Sequence, residues 1–304
     1  MKQYMQPRIN AILSDYDGTL SPTDTLRSNT DSVREQLEGV LWEVSQRIPV
    51  CIISSKDYHF IHRRAKFARI LSCIMGIETI ALRIHKNASK EIEGGCDNSD
   101  NLGCIKERYL LPNSQKILQA NSSSLSKLAE NIELEFKANV IVERKFTIDR
   151  QLLAGITIDY RHLKDWKLYK NQLEPLLKEM IQKYRSFSFI STSDLYVLPY
   201  SSHPFLDIYA LYCDKGMAFD LVVSDILKNK SNRNGVKGEG ILYLGDSEND
   251  NPAFRKASVS IGIISDKRLN PKLDCQYLIE FNNLSNFLER LEKDEFIFSE
   301  DLLT

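Results

Sequence analysis

Three short apolar segments of this chain each lead directly into polar residues, although they lie far apart in the sequence. The segments occupy residues 10–14, 50–53 and 241–244, and the polar residues that follow them include Asp15, Ser54 and Asp246. Apolar residues at helical spacing over 33–48 join the first two segments, so the chain opens as strand, helix and parallel strand. This order predicts an α/β fold. Because ligands bind at the carboxyl edge of such a sheet, the polar residues predict a site there.

The middle of the chain has a different pattern. Strands are predicted near 139–146, 153–160, 187–191 and 195–199, with a helix near 164–184, which is typical of an α+β module. After Tyr212 the α/β pattern returns, with a helix over about 216–228 and further strands near 258–264 and 276–279. We therefore predict a discontinuous α/β domain, 1–82 and 212–304, interrupted by an inserted α+β domain, 83–211.

Residues 85–115 are rich in Asn, Ser, Gly and charge, which indicates a long loop or an insertion within the second domain. Cys96 and Cys104 lie in this segment, but they offer too few ligands at a recognised spacing to predict a zinc site. The role of the segment stays open.

The overall charge argues against two classes of partner. The 304 residues carry a net charge of −1, so we expect neither nucleic acid nor an anionic membrane surface as a partner. No apolar run approaches the length of a bilayer span, and the first ten residues lack the apolar stretch of a signal peptide. We expect a cytoplasmic protein that acts on a small molecule.

Four carboxylates, Asp15, Asp17, Asp246 and Asp250, should meet at the edge of the sheet. Such charges repel one another unless a hard divalent cation joins them, and Mg²⁺ suits carboxylates together with phosphate oxygens. Two carboxylates spaced as Asp15 and Asp17 can divide the chemistry of phosphate transfer. One attacks phosphorus, while the other protonates the leaving oxygen and then activates water.

The remaining parts of a phosphate site are also present in the sequence. Gly18 allows the backbone to approach a phosphoryl group, and Ser54 can donate a hydrogen bond to a phosphate oxygen. Lys215 precedes a predicted helix and is the best placed lysine to neutralise developing charge. A solvated lysine at a helix start is the alternative reading of Lys215.

Four segments, taken in order, resemble the signature motifs of the haloacid dehalogenase superfamily. They are DYDGTL at 15–20, IIS at 52–54, DKG at 214–216 and GDSENDNPAF at 245–254. The resemblance implies a Rossmann-like core with an α+β cap, and an aspartyl-phosphate formed on Asp15 with Asp17 as acid and base. It implies that Ser54 and Lys215 hold the phosphate. It also implies that Mg²⁺ is bound by the Asp15 carboxylate, the Asp17 carbonyl and Asp246, with Asp250 nearby.

Within that superfamily, DYDGTLSP at 15–22 is most similar to trehalose-6-phosphate phosphatases. The stretches 143–145 (Glu-Arg-Lys) and 159–161 (Asp-Tyr-Arg) resemble that family's Glu-x-Lys and His-Tyr-Arg patterns, although Asp159 replaces the His. Ser55 and Lys56 replace the usual Gly-Arg. The resemblance implies substrate contacts at Gly18, Thr19, Ser55, Lys56, Glu143, Lys145 and Arg161.

Several alternatives remain open at this point. The substrate could be sucrose phosphate, mannosyl-phosphoglycerate or another sugar phosphate, and a phosphosugar mutase on the same scaffold would return the phosphoryl group to the sugar. A non-catalytic binding module is a further alternative. Glu143, Lys145 and Arg161 could instead form a solvated face of paired charges.

Overall fold

A computed structural model describes residues 6–22, 33–83, 105–187, 195–201, 203–227, 240–265 and 271–303. The strands, in chain order, are β1 (Ala11–Ser14), β2 (Val50–Ile53), β3 (Ile70–Cys73), β4 (Glu78–Leu82), β5 (Ile105–Leu110), β6 (Ile141–Phe146), β7 (Leu153–Asp159), β8 (Tyr196–Pro199), β9 (Phe205–Tyr209), β10 (Ile241–Gly245), β11 (Val259–Ile264) and β12 (Tyr277–Glu280). The α-helices are α1 (Glu35–Arg47), α2 (Tyr58–Ile61), α3 (Ser114–Phe136), α4 (Trp166–Phe187), α5 (Lys215–Asp220), α6 (Asn251–Phe254) and α7 (Leu284–Lys293).

The first sheet has eight strands in the order β12-β11-β10-β1-β2-β3-β4-β5. The run from β12 to β3 is parallel, and β4 and β5 extend it in antiparallel fashion. All residues of β1, β2 and β10 are buried, as expected of unbroken apolar strands covered on both faces. The predicted α/β core is confirmed. Since β1 lies between β10 and β2, the three polar strand ends are brought together.

The second sheet is antiparallel, with the order β6-β7-β9-β8. Helix α3 packs on β6 and β7 and also contacts α4, so the helices cover one face. Directly paired residues share a face, and the pairs Glu143–Thr157 and Thr157–Asp207 therefore lie together on the other face. Lys145 lies two residues from Glu143 and shares this face. The polar face of the inserted sheet is turned toward the carboxyl edge of the first.

Some boundaries differ from the sequence predictions. Strand β5 falls within 83–211, yet it pairs with β4 in the first sheet, so the domain boundary at 83 stays a prediction. The helix predicted over 216–228 is α5 followed by a π-helical segment, Leu221–Leu227. Strands β3, β4, β5 and β9 were not predicted, and β5 lies within the segment 85–115, where the composition had indicated a long loop or an insertion.

Other predictions fall partly or wholly on undescribed residues. Cys96 and Cys104 lie outside the described residues, as does most of the predicted strand at 187–191. In the described part of the chain, none of the helices combines the length and apolar character needed to cross a bilayer.

Candidate active site

The loop after β1 carries the first pair of carboxylates. The Asp15 amide donates to the Leu244 carbonyl (2.9 Å), which ties the loop to β10. Gly18 has a φ of +81°, and a Cβ built there would lie 1.9 Å from Asp246 Oδ2. The Thr19 hydroxyl donates to Asp246 Oδ1 (3.2 Å). Gly18 and Thr19 therefore hold the Asp246 carboxylate, and direct contact of either residue with substrate stays a prediction.

A cluster of buried carboxylates forms where β1 and β10 end. Asp15, Asp246 and Asp250 each offer an oxygen, and these atoms all lie within 4.8 Å of one another. Lys215 begins α5 and is fully buried. Its Nζ lies 2.8 Å from Asp15 Oδ2 and 2.7 Å from Asp250 Oδ1. Lys215 is thus a component of the cluster, which excludes the reading of a solvated lysine at a helix start.

The pKa shifts of Asp15 and Asp246 indicate that a further positive charge would stabilise this cluster. Burial, together with the charges of Asp250 and Asp17, raises the pKa of Asp15 to about 7 against the opposing effect of Lys215. Burial and the charge of Asp15 raise the pKa of Asp246 well above its ordinary value. Both shifts mean that the two ionised forms lack sufficient positive charge nearby. A divalent cation would supply it, so the donor set fits Mg²⁺.

Asp250 differs from the other two carboxylates because both of its oxygens accept hydrogen bonds from more than one donor. Lys215 and the Tyr243 hydroxyl donate to Oδ1, both at 2.7 Å. The amides of Asp246 and Ser247 donate to Oδ2, both at 3.1 Å. Asp250 therefore orients Lys215 and the loop that carries Asp246. Its position near a metal and its direct ligation both stay predictions.

The loop after β2 presents Ser54, Ser55 and Lys56. The Ser54 side chain is buried, and its Oγ accepts a hydrogen bond from the Lys56 amide (3.1 Å). Lys56 Nζ lies 3.0 and 2.9 Å from the two Glu143 oxygens and 3.7 Å from Asp17 Oδ2. Lys56 thus joins the first carboxylate loop to the inserted domain, and Glu143 is paired rather than solvated.

The inserted sheet contains a second buried ion pair. Lys145 is fully buried, and its Nζ donates to Asp207 Oδ1 (3.1 Å) and to the Tyr209 hydroxyl (3.3 Å). Burial alone would raise the pKa of Asp207, but Lys145 and the hydroxyls of Thr157, Tyr209 and Tyr200 hold it below its ordinary value. Lys145 therefore supports the ionised Asp207, and its predicted contact with substrate remains untested.

Arg161 follows β7 and faces the space between the two sheets. Its Nε donates to Asp159 Oδ2 (2.8 Å), and its guanidinium lies 4.5 Å from the centroid of the Phe205 ring. Asp159, which departs from the family triplet, thus fixes the direction of Arg161. Arg161 and the Phe205 ring line one side of the cleft.

A cleft of about 510 Å³, partly open to solvent, lies between the sheets. Its lining consists of Asp15, Asp17, Ser55, Lys56, Thr157, Arg161, Tyr200, His203, Phe205, Asp207, Asp246, Ser247 and Asn249.

Sequence reasoning missed seven of the polar and aromatic residues of this lining: Thr157, Tyr200, His203, Phe205, Asp207, Ser247 and Asn249. The sequence contained a clue to two of these residues. Asp207 is a charged residue within an apolar segment, and Asn249 lies within the last of the four motifs.

Solved structures resemble this chain over nearly its whole length. A trehalose-6-phosphate phosphatase related protein is 15% identical with a TM-score of 0.59, covering 93% of this chain and 97% of that chain. The C-terminal domain of the C. albicans trehalose-6-phosphate phosphatase is 15% identical with a TM-score of 0.63, covering 94% and 93%. A haloacid dehalogenase-like hydrolase from Bacteroides thetaiotaomicron is 15% identical with a TM-score of 0.56, covering 94% and 100%.

No protein-family model and no curated protein sequence matches the chain. The structural likenesses show that the chain has the fold of these proteins, so the resemblance drawn from the motifs is confirmed at the level of the fold.

Proposed function

We propose that this chain is a Mg²⁺-dependent phosphomonoester hydrolase that forms an aspartyl-phosphate on Asp15 and acts on a sugar phosphate such as trehalose 6-phosphate. The observation that carries the proposal is the position of Asp15, which lines the cleft and lies 2.8 Å from the buried Lys215. A carboxylate held between a fixed cation and other carboxylates is suited to attack phosphorus.

In the first step, an Asp15 oxygen forms a bond to phosphorus while the bond from phosphorus to the sugar oxygen breaks. Asp17 lines the same cleft and gives its proton to the departing sugar oxygen. In the second step, Asp17 takes a proton from water, whose oxygen attacks phosphorus and releases phosphate and the Asp15 carboxylate. Lys215 stabilises the negative charge that grows on the phosphoryl oxygens in both steps.

Mg²⁺ would be held by the carboxylates of Asp15 and Asp246 and by the Asp17 carbonyl, and it would offset charge on the phosphoryl group. Asp250 would keep Lys215 and the Asp246 loop in place through the hydrogen bonds that it accepts from them. Ser54 would support the Lys56 loop and donate to phosphate.

We assign the choice of substrate to the inserted domain, 83–211, and the chemistry to the α/β domain formed by 1–82 and 212–304. The cleft supports this division because Thr157, Arg161, Tyr200 and Asp207 line it from the inserted side. Groups that bind a sugar far from the reacting bond can raise the rate by positioning the phosphate and excluding water.

The test is phosphate release with Mg²⁺ from a panel that contains trehalose 6-phosphate, sucrose phosphate, mannosyl-phosphoglycerate, simple hexose phosphates and p-nitrophenyl phosphate. We expect turnover of at least one sugar phosphate, and loss of it in Asp15→Asn. Asp220→Asn is the matched control, because Asp220 is an exposed carboxylate paired with Lys256.

Each alternative has its own outcome in this panel. A phosphosugar mutase would move the phosphoryl group between sugar positions without net phosphate release. A non-catalytic module would turn over none of the substrates. Full activity in Asp15→Asn would contradict the proposed nucleophile.

A further inference from the structure

Beside the cleft, one loop of the inserted domain contacts one loop of the α/β domain. We name this contact the clasp and define it by Tyr200, Ser201 and His203 on the inserted side and Glu248 and Asn249 on the core side. Asn249 Nδ2 donates to the Tyr200 hydroxyl (3.0 Å), and the Ser201 hydroxyl donates to Glu248. His203 Nδ1 lies 3.8 Å from Glu248 Oε2.

We propose that Tyr200 is a positioning residue that couples the seating of the inserted domain to the arrangement of the catalytic loop, through its hydrogen bond with Asn249. The proposal rests on the proposed function in one respect, namely that the loop 246–250 serves phosphoryl transfer. The contacts on each side of the clasp support it.

On the inserted side, the Tyr200 hydroxyl has a fixed direction. It donates to Asp207 Oδ2 (2.8 Å), and Asp207 is held by Lys145, Thr157 and Tyr209. The single hydroxyl proton of Tyr200 is therefore committed to Asp207, and its lone pairs face outward as acceptors. The buried ion pair thus presents an oriented acceptor to the core.

On the core side, Asn249 connects this acceptor to the carboxylate cluster. Its Oδ1 accepts from the Ser247 hydroxyl (2.7 Å), while the Ser247 amide donates to Asp250 Oδ2 (3.1 Å). Asp250 in turn accepts from Lys215, which contacts Asp15. When the inserted domain lifts, Asn249 loses its Tyr200 partner, so the Ser247 hydroxyl loses its fixed acceptor at 2.7 Å and keeps only the longer contact with Asp250 Oδ2 (3.4 Å). The loop is thereby fully ordered only when the cleft is covered.

Tyr209 offers a matched control for Tyr200. The Tyr209 hydroxyl also donates to Asp207 Oδ2 at 2.8 Å. The Tyr209 side chain is fully buried within the inserted domain, and the hydrogen bond from Asn249 goes to Tyr200 instead. Tyr200→Phe and Tyr209→Phe each remove one hydroxyl from the same carboxylate, and Tyr209→Phe also removes an acceptor of Lys145. Only Tyr200→Phe also removes the bridge to the core.

The experiment compares Tyr200→Phe, Asn249→Ala, their double variant and Tyr209→Phe. On the preferred sugar phosphate, Tyr200→Phe and Asn249→Ala should each lower kcat about tenfold with little change in KM. The kcat of the double variant should be no lower than that of the less active single variant. Tyr209→Phe should stay within about twofold of wild type. Amide hydrogen exchange at Asp246 and Ser247 should accelerate in Tyr200→Phe and not in Tyr209→Phe.

Three results would overturn the inference. Additive losses in the double variant would mean that Tyr200 and Asn249 contact substrate independently. Equal losses in Tyr200→Phe and Tyr209→Phe would place the effect in the Asp207 ion pair. Unchanged exchange at residues 246–247 in Tyr200→Phe would show that the loop is not coupled to the clasp, whether or not the chain is a phosphatase. Failure of the proposed function is separate, and appears as no Asp15-dependent turnover in the wild type.

Discussion

Replacement of Gly18 by Ala should lower the rate of catalysis far more than it lowers the stability of the fold. The backbone at Gly18 has a φ of +81°, and the added methyl group would lie 1.9 Å from Asp246 Oδ2. Real Cβ atoms essentially never approach a neighbour closer than 3.0 Å, so Asp246 must move by more than 1 Å. The backbone conformation itself costs a side chain roughly 1–2 kcal/mol.

The displacement of Asp246 should appear in the rate of catalysis, and the backbone strain should appear in the free energy of unfolding. A displacement of about 1 Å in a catalytic group costs on the order of a hundredfold in rate, so kcat/KM for any substrate of Gly18→Ala should fall by at least that factor. The free energy of unfolding should fall by only about 1–2 kcal/mol, since the strain is confined to one loop. Phosphate release and denaturant unfolding of the same preparation measure the two quantities.

Gly39→Ala is the matched control. Gly39 lies within α1, and a Cβ there would meet nothing within 4 Å. We expect unchanged activity and a gain in unfolding free energy of up to about 1 kcal/mol, because Ala favours the helix. The reasoning is refuted if Gly18→Ala keeps activity within a few-fold of wild type, or if its loss of activity matches the fraction of unfolded protein.

Three further changes test individual side chains. Lys145→Met should lower the free energy of unfolding by about 3–5 kcal/mol because it leaves Asp207 buried without its cation, whereas Lys183→Met at an exposed pair should change it little; a defect in KM alone would instead indicate a substrate contact. In a single turnover, Asp17→Asn should slow release of the sugar from a sugar phosphate about a hundredfold and release of p-nitrophenol from p-nitrophenyl phosphate much less, because a good leaving group needs no proton; equal losses in this first step would remove its role as the acid. Asp246→Asn should weaken Mg²⁺ binding in calorimetry, and unchanged affinity would exclude Asp246 as a ligand.

The catalytic edge could be predicted from the sequence because each strand there is short, apolar and followed at once by its functional residue. Residues 10–14, 50–53 and 241–244 are strands β1, β2 and β10, apart from one residue at an end. Parallel pairing then brings Asp15 and Asp246 together without further information.

The inserted domain was less predictable, because its charges are placed by long-range pairing. The sequence predicted a strand near 139–146, but not that Lys145 within it is buried and donates to Asp207. Strand β9 was missed, and with it the partner that makes a buried lysine tolerable. The hydrogen bond from Asn249 to Tyr200 joins residues 49 positions apart on separate domains, and no local pattern specifies it.

Helix length was the other property that local spacing did not determine. The apolar pattern after Asp214 predicted one continuous helix, whereas the α-helix ends at Asp220 and continues as the π-helical segment Leu221–Leu227. The beginning of α5 was predicted correctly, and that end carries Lys215. Its cap is the Asp214 side chain, which accepts from the Met217 amide (2.8 Å).

The central claim is that the phosphoryl group passes through Asp15, and rapid quenching during turnover tests it most directly. Asp17→Asn should slow hydrolysis of the intermediate but hardly its formation from p-nitrophenyl phosphate, so acid quenching of this variant with Mg²⁺ and that ester should trap phosphate covalently. Peptide mass spectrometry should then find one added phosphoryl group on the peptide that contains Asp15, and none in an Asp15→Asn, Asp17→Asn double variant. Phosphate release by the wild type without any phosphorylated Asp15, or a phosphorylated residue elsewhere in the cleft, would contradict the account.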